Sequence, residues 1–505
     1  MLSLFKLVKS LHPSEKRYIN LRLQSNKSNS LLQSYFETIQ NQTEYDFEAI
    51  SAKFNKTSPK VLKNSLRNLY SNVLKYLRSY NAHSDDEGLL ADMLRDVRNL
   101  QDKSMLDEAG KLNKRLLNQS SSLEYFFYEK EALHNKWNLA HLKGELSLEF
   151  TNEIQELLDA VLKKESEVSR INKLYRTAVT LYYQFFFFER DEAIKRNLIE
   201  LSQSLKGKKS VQALSSSKAM MSSYEILSLE AIIQGDLLSH HNVRKDQLKL
   251  LLTSEVFKKD YLSQILVLSN LFTYLKSVKS IEVLKDYMVY MKGYFLPLVE
   301  KNTDGVLIEK YYDIYFQNQI YIQNWYLDQG VINQLLDEFK KVSKKEFKRN
   351  NLLLSRVYLS FAQLLILSGD YKHALKHLIE YQSLSLDKKN STNFVDSEFH
   401  LLMLFHLRGK QDVFDKTFET IKRKERIEAI TFNEHQKMLF TAFQAVYKGE
   451  KLTKHEYNGK KGWLKVYFDV LTNIPFEEAV NTQFDSSKFV SLPEEITFLE
   501  WLRRL

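Results

Sequence analysis

Apolar side chains recur every three or four residues along most of the chain, which is the spacing of one face of an α-helix. Charged and polar residues occupy the positions between them. In the middle of the chain, six stretches show this spacing: 123–143, 152–164, 174–201, 219–233, 243–252 and 261–275. The pattern predicts amphipathic helices that bury one face, separated by turns near residues 103, 144, 190, 235 and 278.

The chain is poor in the two residues that interrupt helices. It contains 13 glycines and 5 prolines in 505 residues, and no proline occurs between Pro59 and Pro297. Turns between strands usually need glycine or proline for their backbone angles, so this scarcity argues against a sheet. The sequence therefore predicts an all-α protein.

Four glycines near the C-terminal end are almost evenly spaced. Gly330, Gly369, Gly409 and Gly449 lie 39, 40 and 40 positions apart, and each follows an apolar run with helical spacing. Glycine just past a helix end adopts the left-handed conformation without a Cβ penalty. A second amphipathic run follows the first three glycines, which predicts helical hairpins that stack on their neighbours.

The segment 358–381, YLSFAQLLILSGDYKHALKHLIEY, resembles a tetratricopeptide repeat. The resemblance puts Ala362 at the small position of the first helix, Gly369 to Tyr371 at the turn, and Ala374 at the packing position of the second helix. Weaker echoes lie at 105–116 and 189–201. The resemblance implies an α-solenoid of tetratricopeptide-like hairpins wound as a right-handed superhelix. Its period of roughly 40 residues exceeds the family's roughly 34.

Positive charge is concentrated at the N-terminus. Residues 1–80 hold 13 Lys or Arg and five acids, a net +8 of the whole chain's +10. A basic block on a near-neutral body indicates two modules and an anionic partner for the first, or else a solvated face. We predict a basic helical segment at 1–83, irregular helical repeats at 84–300, tetratricopeptide-like repeats at 301–490 and a C-terminal capping helix at 491–505.

The stretch 46–77 predicts a short helix, a tight turn and a longer helix. Ser58 followed by Pro59 is a typical helix start. On the second helix Lys60, Lys63 and Arg67 share a face with Asn64. Val61, Val73 and four leucines supply the apolar side. The pattern resembles a helix-turn-helix, which implies nucleic-acid contact by these four polar residues. The alternative is a plain amphipathic hairpin.

Catalytic and metal-binding signatures are absent from the sequence. The chain has no cysteine and no nucleotide-binding or nucleophile-elbow motif. His373 and His377 have the i, i+4 spacing of zinc ligands, but Ala374 stands where the catalytic glutamate of that motif would lie. We therefore expect a non-enzymatic protein without a cofactor or a metal.

Aromatic side chains are abundant, and the tyrosine-rich helix near residue 315 and the phenylalanine run at 185–188 stand out. Such residues are enriched at recognition surfaces, so Tyr311, Tyr315, Tyr326 and Phe187 are the predicted partner contacts.

The expected function is a cytoplasmic scaffold that binds a protein or peptide on its concave face. The alternative is a nucleic-acid-binding regulator, resembling bacterial regulators that join a DNA-binding module to a tetratricopeptide sensor. No run of 18 apolar residues occurs, and no membrane partner is expected.

Overall fold

A computed structural model describes residues 2–11, 13–25, 30–54, 58–81, 85–188, 191–206, 211–301, 304–347, 351–384, 392–427, 430, 432–449 and 493–504. Regular structure within these ranges is entirely helical, which confirms the all-α prediction. The helices are α1 (Leu2–Ser10), α2 (Pro13–Gln24), α3 (Ser30–Asn41), α4 (Phe47–Lys53), α5 (Pro59–Asn81), α6 (Asp86–Asp102), α7 (Leu106–Ser122), α8 (Phe126–Lys143), α9 (Leu148–Phe187), α10 (Glu192–Lys206), α11 (Ser217–Gln234), α12 (Leu237–Thr253), α13 (Tyr261–Ser277), α14 (Ile281–Lys301), α15 (Gly305–Tyr326), α16 (Gln329–Glu346), α17 (Asn351–Leu367), α18 (Tyr371–Leu384), α19 (Thr392–Leu407), α20 (Gln411–Arg426), α21 (Glu434–Tyr447) and α22 (Pro493–Arg504).

The chain divides into two compact units. The first comprises Met1–Ile233 with Thr253–Lys259, and the second comprises Gln234–Leu252 with Asp260–Leu505. None of the described helices is long and apolar enough to span a bilayer.

Helices α1 to α5 surround a hydrophobic cluster of their own at the start of the first unit. Ile50 of α4 and Leu62 and Leu66 of α5 are fully or almost fully buried there. Helix α5 begins at Pro59, as predicted, and the Val61 amide donates to the Ser58 hydroxyl at 3.5 Å. Val61 itself is 53% exposed, so its assignment to the apolar side is wrong. It lies about 100° around the helix from Leu62, outside the buried stripe.

The rest of the first unit is built from consecutive helices that pack against one another. Helix α6 contacts α7 and α8, α8 contacts α9, and α9 contacts α10. The Glu124 side chain accepts hydrogen bonds from the Ser216 hydroxyl and the Ser217 amide, both at 2.7 Å, at the start of α11. Since these residues are more than 90 positions apart, this buried carboxylate fixes the α7–α8 turn to a distant helix.

In the second unit, alternate helices form a continuous series. Helix α15 contacts α13 and α17, and α19 contacts α17 and α21, while the intervening helices pack against their neighbours in the chain. Ala362 of α17 and Ala374 of α18 are fully buried where these two helices meet. The small residues thus lie where close packing was predicted.

Most of the predicted turns contain a residue with left-handed backbone. Gly369, Gly409 and Gly449 have φ of +78°, +63° and +71°. At Gly369 the glycine amide donates to Ile366 O and the Asp370 amide to Leu365 O, which closes the helix end. Left-handed residues also occur at Ser104, Glu124, Gly144, Gly235 and Lys279. The predicted turn at 190 lies outside the described residues.

Gly330 does not have the predicted turn conformation. Leu327 takes the left-handed position instead, with φ of +50°, and Asp328 caps α16. The Asp328 carboxylate accepts from the amides of Gly330 at 2.9 Å and Val331 at 3.2 Å. Because this cap starts α16 early, Gly330 lies in its first turn and the expectation for this glycine is wrong.

Candidate functional site

A cleft of about 490 Å³ lies between α16 and α18 in the second unit. Helix α17 runs between these two helices in the chain and contributes one tyrosine to the lining. The lining residues are Asn333, Leu336, Asp337, Phe339, Lys340, Ser343, Tyr358, Asp370, His373, Lys376, His377 and Glu380. The cleft is therefore formed by the second helices of two successive hairpins.

The base of the cleft is aromatic. The Phe339 and Tyr358 rings lie 5.1 Å apart at nearly a right angle, and the His377 ring centroid is 5.4 Å from that of Tyr358. Phe361 lies beneath them, 4.9 Å from Phe339 and 5.7 Å from His377. Edge-to-face and tilted ring contacts of this kind favour a rigid apolar surface.

His377 is the one polar ring in this aromatic group. Burial lowers its pKa to about 4, with smaller contributions from Lys376 and His373. The imidazole is therefore neutral near pH 7. Its Nδ1 is buried without a hydrogen-bond partner in the described structure. A buried polar atom without a partner is costly, so this nitrogen is suited to pair with a ligand.

The rim of the cleft carries charges of both signs. Lys340 and Lys376 are exposed cations, and Asp337 and Glu380 are exposed carboxylates. Burial, and secondarily the nearby Glu380 carboxylate, raise the pKa of the Tyr358 hydroxyl. The arrangement can hold an apolar group at the base while polar groups of either sign lie above it.

His373 and His377, the pair with the spacing of zinc ligands, both line this cleft. His373 Nδ1 is 2.7 Å from Asp370 Oδ2, and the Asp370 carboxylate also accepts from the His373 amide. The described residues contain no group of three or more His, Cys, Asp or Glu arranged to bind a metal ion. His373 thus stabilises the start of α18, and His377 faces the aromatic base.

The predicted partner-binding tyrosines lie elsewhere, mainly inside the protein. Tyr311 is 1% and Tyr315 is 3% exposed, and the two rings stack at 6.0 Å within α15. Tyr326 is half-buried and its hydroxyl donates to Glu282. The side chain of Phe187 lies outside the described residues. Since α15 packs against α13, α14, α16 and α17, Tyr311 and Tyr315 belong to the core and not to an open surface.

The predicted nucleic-acid residues are brought together on one surface. Lys60, Lys63, Asn64 and Arg67 are all exposed on α5, and the Lys63 ammonium lies 5.7 Å from the centre of the Phe47 ring. The opposite side of α5 is buried in the N-terminal cluster. The sequence pattern correctly separated this polar face from the core.

A buried polar cluster that the sequence did not reveal holds the C-terminal helix. Glu495 of α22 is 4% exposed, and its Oε1 lies 2.9 Å from His241 Nε2 and 2.8 Å from Lys245 Nζ. The Tyr287 hydroxyl donates to Oε2 at 2.9 Å. Although burial alone would raise it, His241 and Lys245 lower the pKa of Glu495 to about 2. Sequence reasoning could not find this cluster, because its residues come from three helices that are distant along the chain.

Comparison of the chain with known protein families finds no match, and comparison with curated proteins finds no similar sequence.

Proposed function

We propose that this protein is a non-enzymatic cytoplasmic scaffold, built as a tetratricopeptide-like right-handed solenoid, that binds a segment of a partner protein. Two features support the solenoid: the series of alternate helix contacts from α13 to α21, and left-handed turns about 40 residues apart at Gly369, Gly409 and Gly449. Stacked hairpins of this kind present extended binding surfaces. The absence of catalytic motifs from the sequence supports a binding role.

The observation that carries the proposal is the half-buried, neutral imidazole of His377 at the base of the cleft, whose Nδ1 has no hydrogen-bond partner among the described residues. Ligand pockets combine apolar surface with placed polar groups, and this cleft has an aromatic base beneath a rim of polar and charged residues. We expect the partner to insert one apolar or aromatic side chain between Phe339 and Tyr358. A donor on the same segment, such as a hydroxyl or an amide, then pairs with His377 Nδ1.

The test is site-specific photo-crosslinking in cells, followed by mass spectrometry of the adducts. A photoreactive amino acid replaces Asn333, which lines the cleft, or Gln334, which is the exposed neighbour outside it. We expect one protein to be crosslinked from position 333 and not from position 334. Equal labelling from both positions, or none from position 333, contradicts the proposal.

Charge reversal at the rim gives the matched binding measurement. Lys340→Glu changes a lining residue, whereas Lys341→Glu changes the adjacent exposed lysine that does not line the cleft. Rim charges act mainly on association and salt dependence, so we expect Lys340→Glu to change the affinity for the identified segment several-fold. Lys341→Glu should leave the affinity unchanged.

A further inference from the structure

Helix α5 is unusual in its charge. Its 23 residues include five cations and no acidic residue. The cations are Lys60, Lys63, Arg67, Lys75 and Arg78, and all five are exposed. The other exposed positions between Lys60 and Arg78 are Val61, Asn64, Asn68 and Ser71. A helix face with this composition repels cations and attracts anions.

The five cations follow one line along the helix. At 3.6 residues per turn they lie within a sector about 120° wide, and they extend about 27 Å from the first to the last. Leu62, Leu66, Leu69 and Val73 lie on the opposite side and are buried in the N-terminal cluster. Packing of α1, α2 and α3 against α5 therefore fixes which face is presented.

Among the residues that the structure describes, none of these five cations forms an ion pair, and the Lys63 ammonium lies over the Phe47 ring. Five unpaired like charges in a line repel one another, which costs folding free energy. A polyanion that binds along this line removes that repulsion.

We propose that the exposed face of α5 binds double-stranded DNA through its phosphate backbone. A line of about 27 Å matches about eight base pairs, and an α-helix fits the major groove, which is about 12 Å wide. This inference does not depend on the α16–α18 cleft. It adds a second ligand class to the scaffold function.

Three other anionic partners fit the face less well. Binding in a membrane interface requires an apolar face that enters the bilayer, but the apolar face of α5 is already buried. Single-stranded nucleic acid is bound by exposed aromatic side chains that stack on bases. Here the aromatic side chains of α5 are half-buried or lie near its end, as with Tyr80 at 38% exposure. The A-form duplex of RNA has a major groove too narrow for a helix.

Asn64 lies within the same face, between Lys63 and Arg67 in sequence. An asparagine amide can pair with both hydrogen-bonding atoms of an adenine edge, whereas lysines and arginines on phosphates carry no sequence information. The face therefore combines backbone contacts with one group able to read a base.

The test measures binding of the full chain to a labelled 20-base-pair DNA duplex by fluorescence anisotropy from 50 to 200 mM NaCl. Each phosphate contact contributes about −0.9 to the slope of log K against log salt, so five contacts predict a slope of about −4.5. The affinity should fall about 500-fold over this range. The triple variant Lys60→Gln, Lys63→Gln, Arg67→Gln should reduce the slope to about −1.8.

The control variant is Lys111→Gln, Lys114→Gln, Arg115→Gln on α7. It also removes two lysines and one arginine from exposed positions. It should bind DNA as the unchanged chain does. Circular dichroism confirms that both variants keep their helices. The proposal is overturned if no duplex binds at 50 mM, if both triple variants weaken binding equally, or if the slope of the α5 variant is unchanged. Tighter binding of a single strand, an RNA duplex or anionic phosphatidylserine vesicles overturns it in favour of that ligand.

Discussion

The imidazole of His377 illustrates how one residue couples the proposed binding site to stability. The aromatic rings around it exclude water, so the folded protein favours the neutral ring and its pKa falls to about 4 from an ordinary value near 6.5. A histidine with a lowered folded pKa contributes its full stability above pH 6.5. That contribution is lost as the pH falls towards 4, because the unfolded chain binds the proton first.

We therefore expect His377→Phe to resist mild acid better than the unchanged chain. Phenylalanine keeps the ring among Phe339, Tyr358 and Phe361 but cannot be protonated. Between pH 7 and pH 5 the variant should lose about 1–2 kcal/mol less of its free energy of unfolding, measured by urea titration. Ile379→Phe, which places a phenylalanine at an exposed position of the same helix, is the control. Parallel loss of stability in the unchanged chain and His377→Phe contradicts the assignment.

At the same scale, the turn residues show what sequence can predict. Glycine is the residue best suited to positive φ, so Gly369, Gly409 and Gly449 could be identified from spacing alone. Leu327 and Ser104 have the same left-handed conformation although both carry a Cβ atom, and nothing in the local sequence identifies them as turn residues. Gly330 was misassigned because Asp328, two positions earlier, captures its amide and starts the helix there.

At the scale of elements, helix existence was predictable and helix length was not. The predicted helices 152–164 and 174–201 are in fact α9, which runs unbroken over Leu148–Phe187, and α10. Neither glycine nor proline occurs between Gly144 and Gly207 to mark an end. The tyrosines of α15 were misread for a related reason. Composition does not distinguish a helix packed on several sides from one with an open face.

Helix α22 is attached by a feature that only the fold reveals, the buried carboxylate of Glu495. His241, Lys245 and Tyr287 converge on it from α12 and α14. Removing one member of a buried ion pair is strongly destabilising, because the other charge is then buried without a partner. The lowered pKa of Glu495 means that its contribution is present above about pH 4.5 and is lost as the pH falls towards 2.

We expect Glu495→Gln to release α22 while the other helices remain folded. Gln keeps the shape of the side chain but leaves Lys245 without its counterion, which should cost about 3 kcal/mol. Hydrogen exchange measured by mass spectrometry should accelerate in α22 and much less in α16 to α18. The control is Arg503→Gln, also on α22, which removes an exposed ion pair with Asp286 of α14. It should change hydrogen exchange little. Equal exchange in α22 of the two variants contradicts this role.

At the scale of the whole molecule, charge and chemistry are divided between the two compact units. The first unit carries the cationic face of α5, and the second carries the α16–α18 cleft. The sequence predicted the basic N-terminal block, because net charge is additive along a chain. It did not predict the cleft, because Phe339, Tyr358 and His377 come together only when successive hairpins stack.

This division leads to a reciprocal prediction about the two proposed surfaces. The two surfaces belong to separate compact units, and the cluster that buries the apolar side of α5 is formed by α1 to α5 alone. The Lys60, Lys63, Arg67 triple glutamine variant should therefore crosslink its partner from position 333 as the unchanged chain does. Lys340→Glu should bind the DNA duplex with unchanged affinity and salt slope. A change above about fivefold in either assay contradicts the independence of the two surfaces.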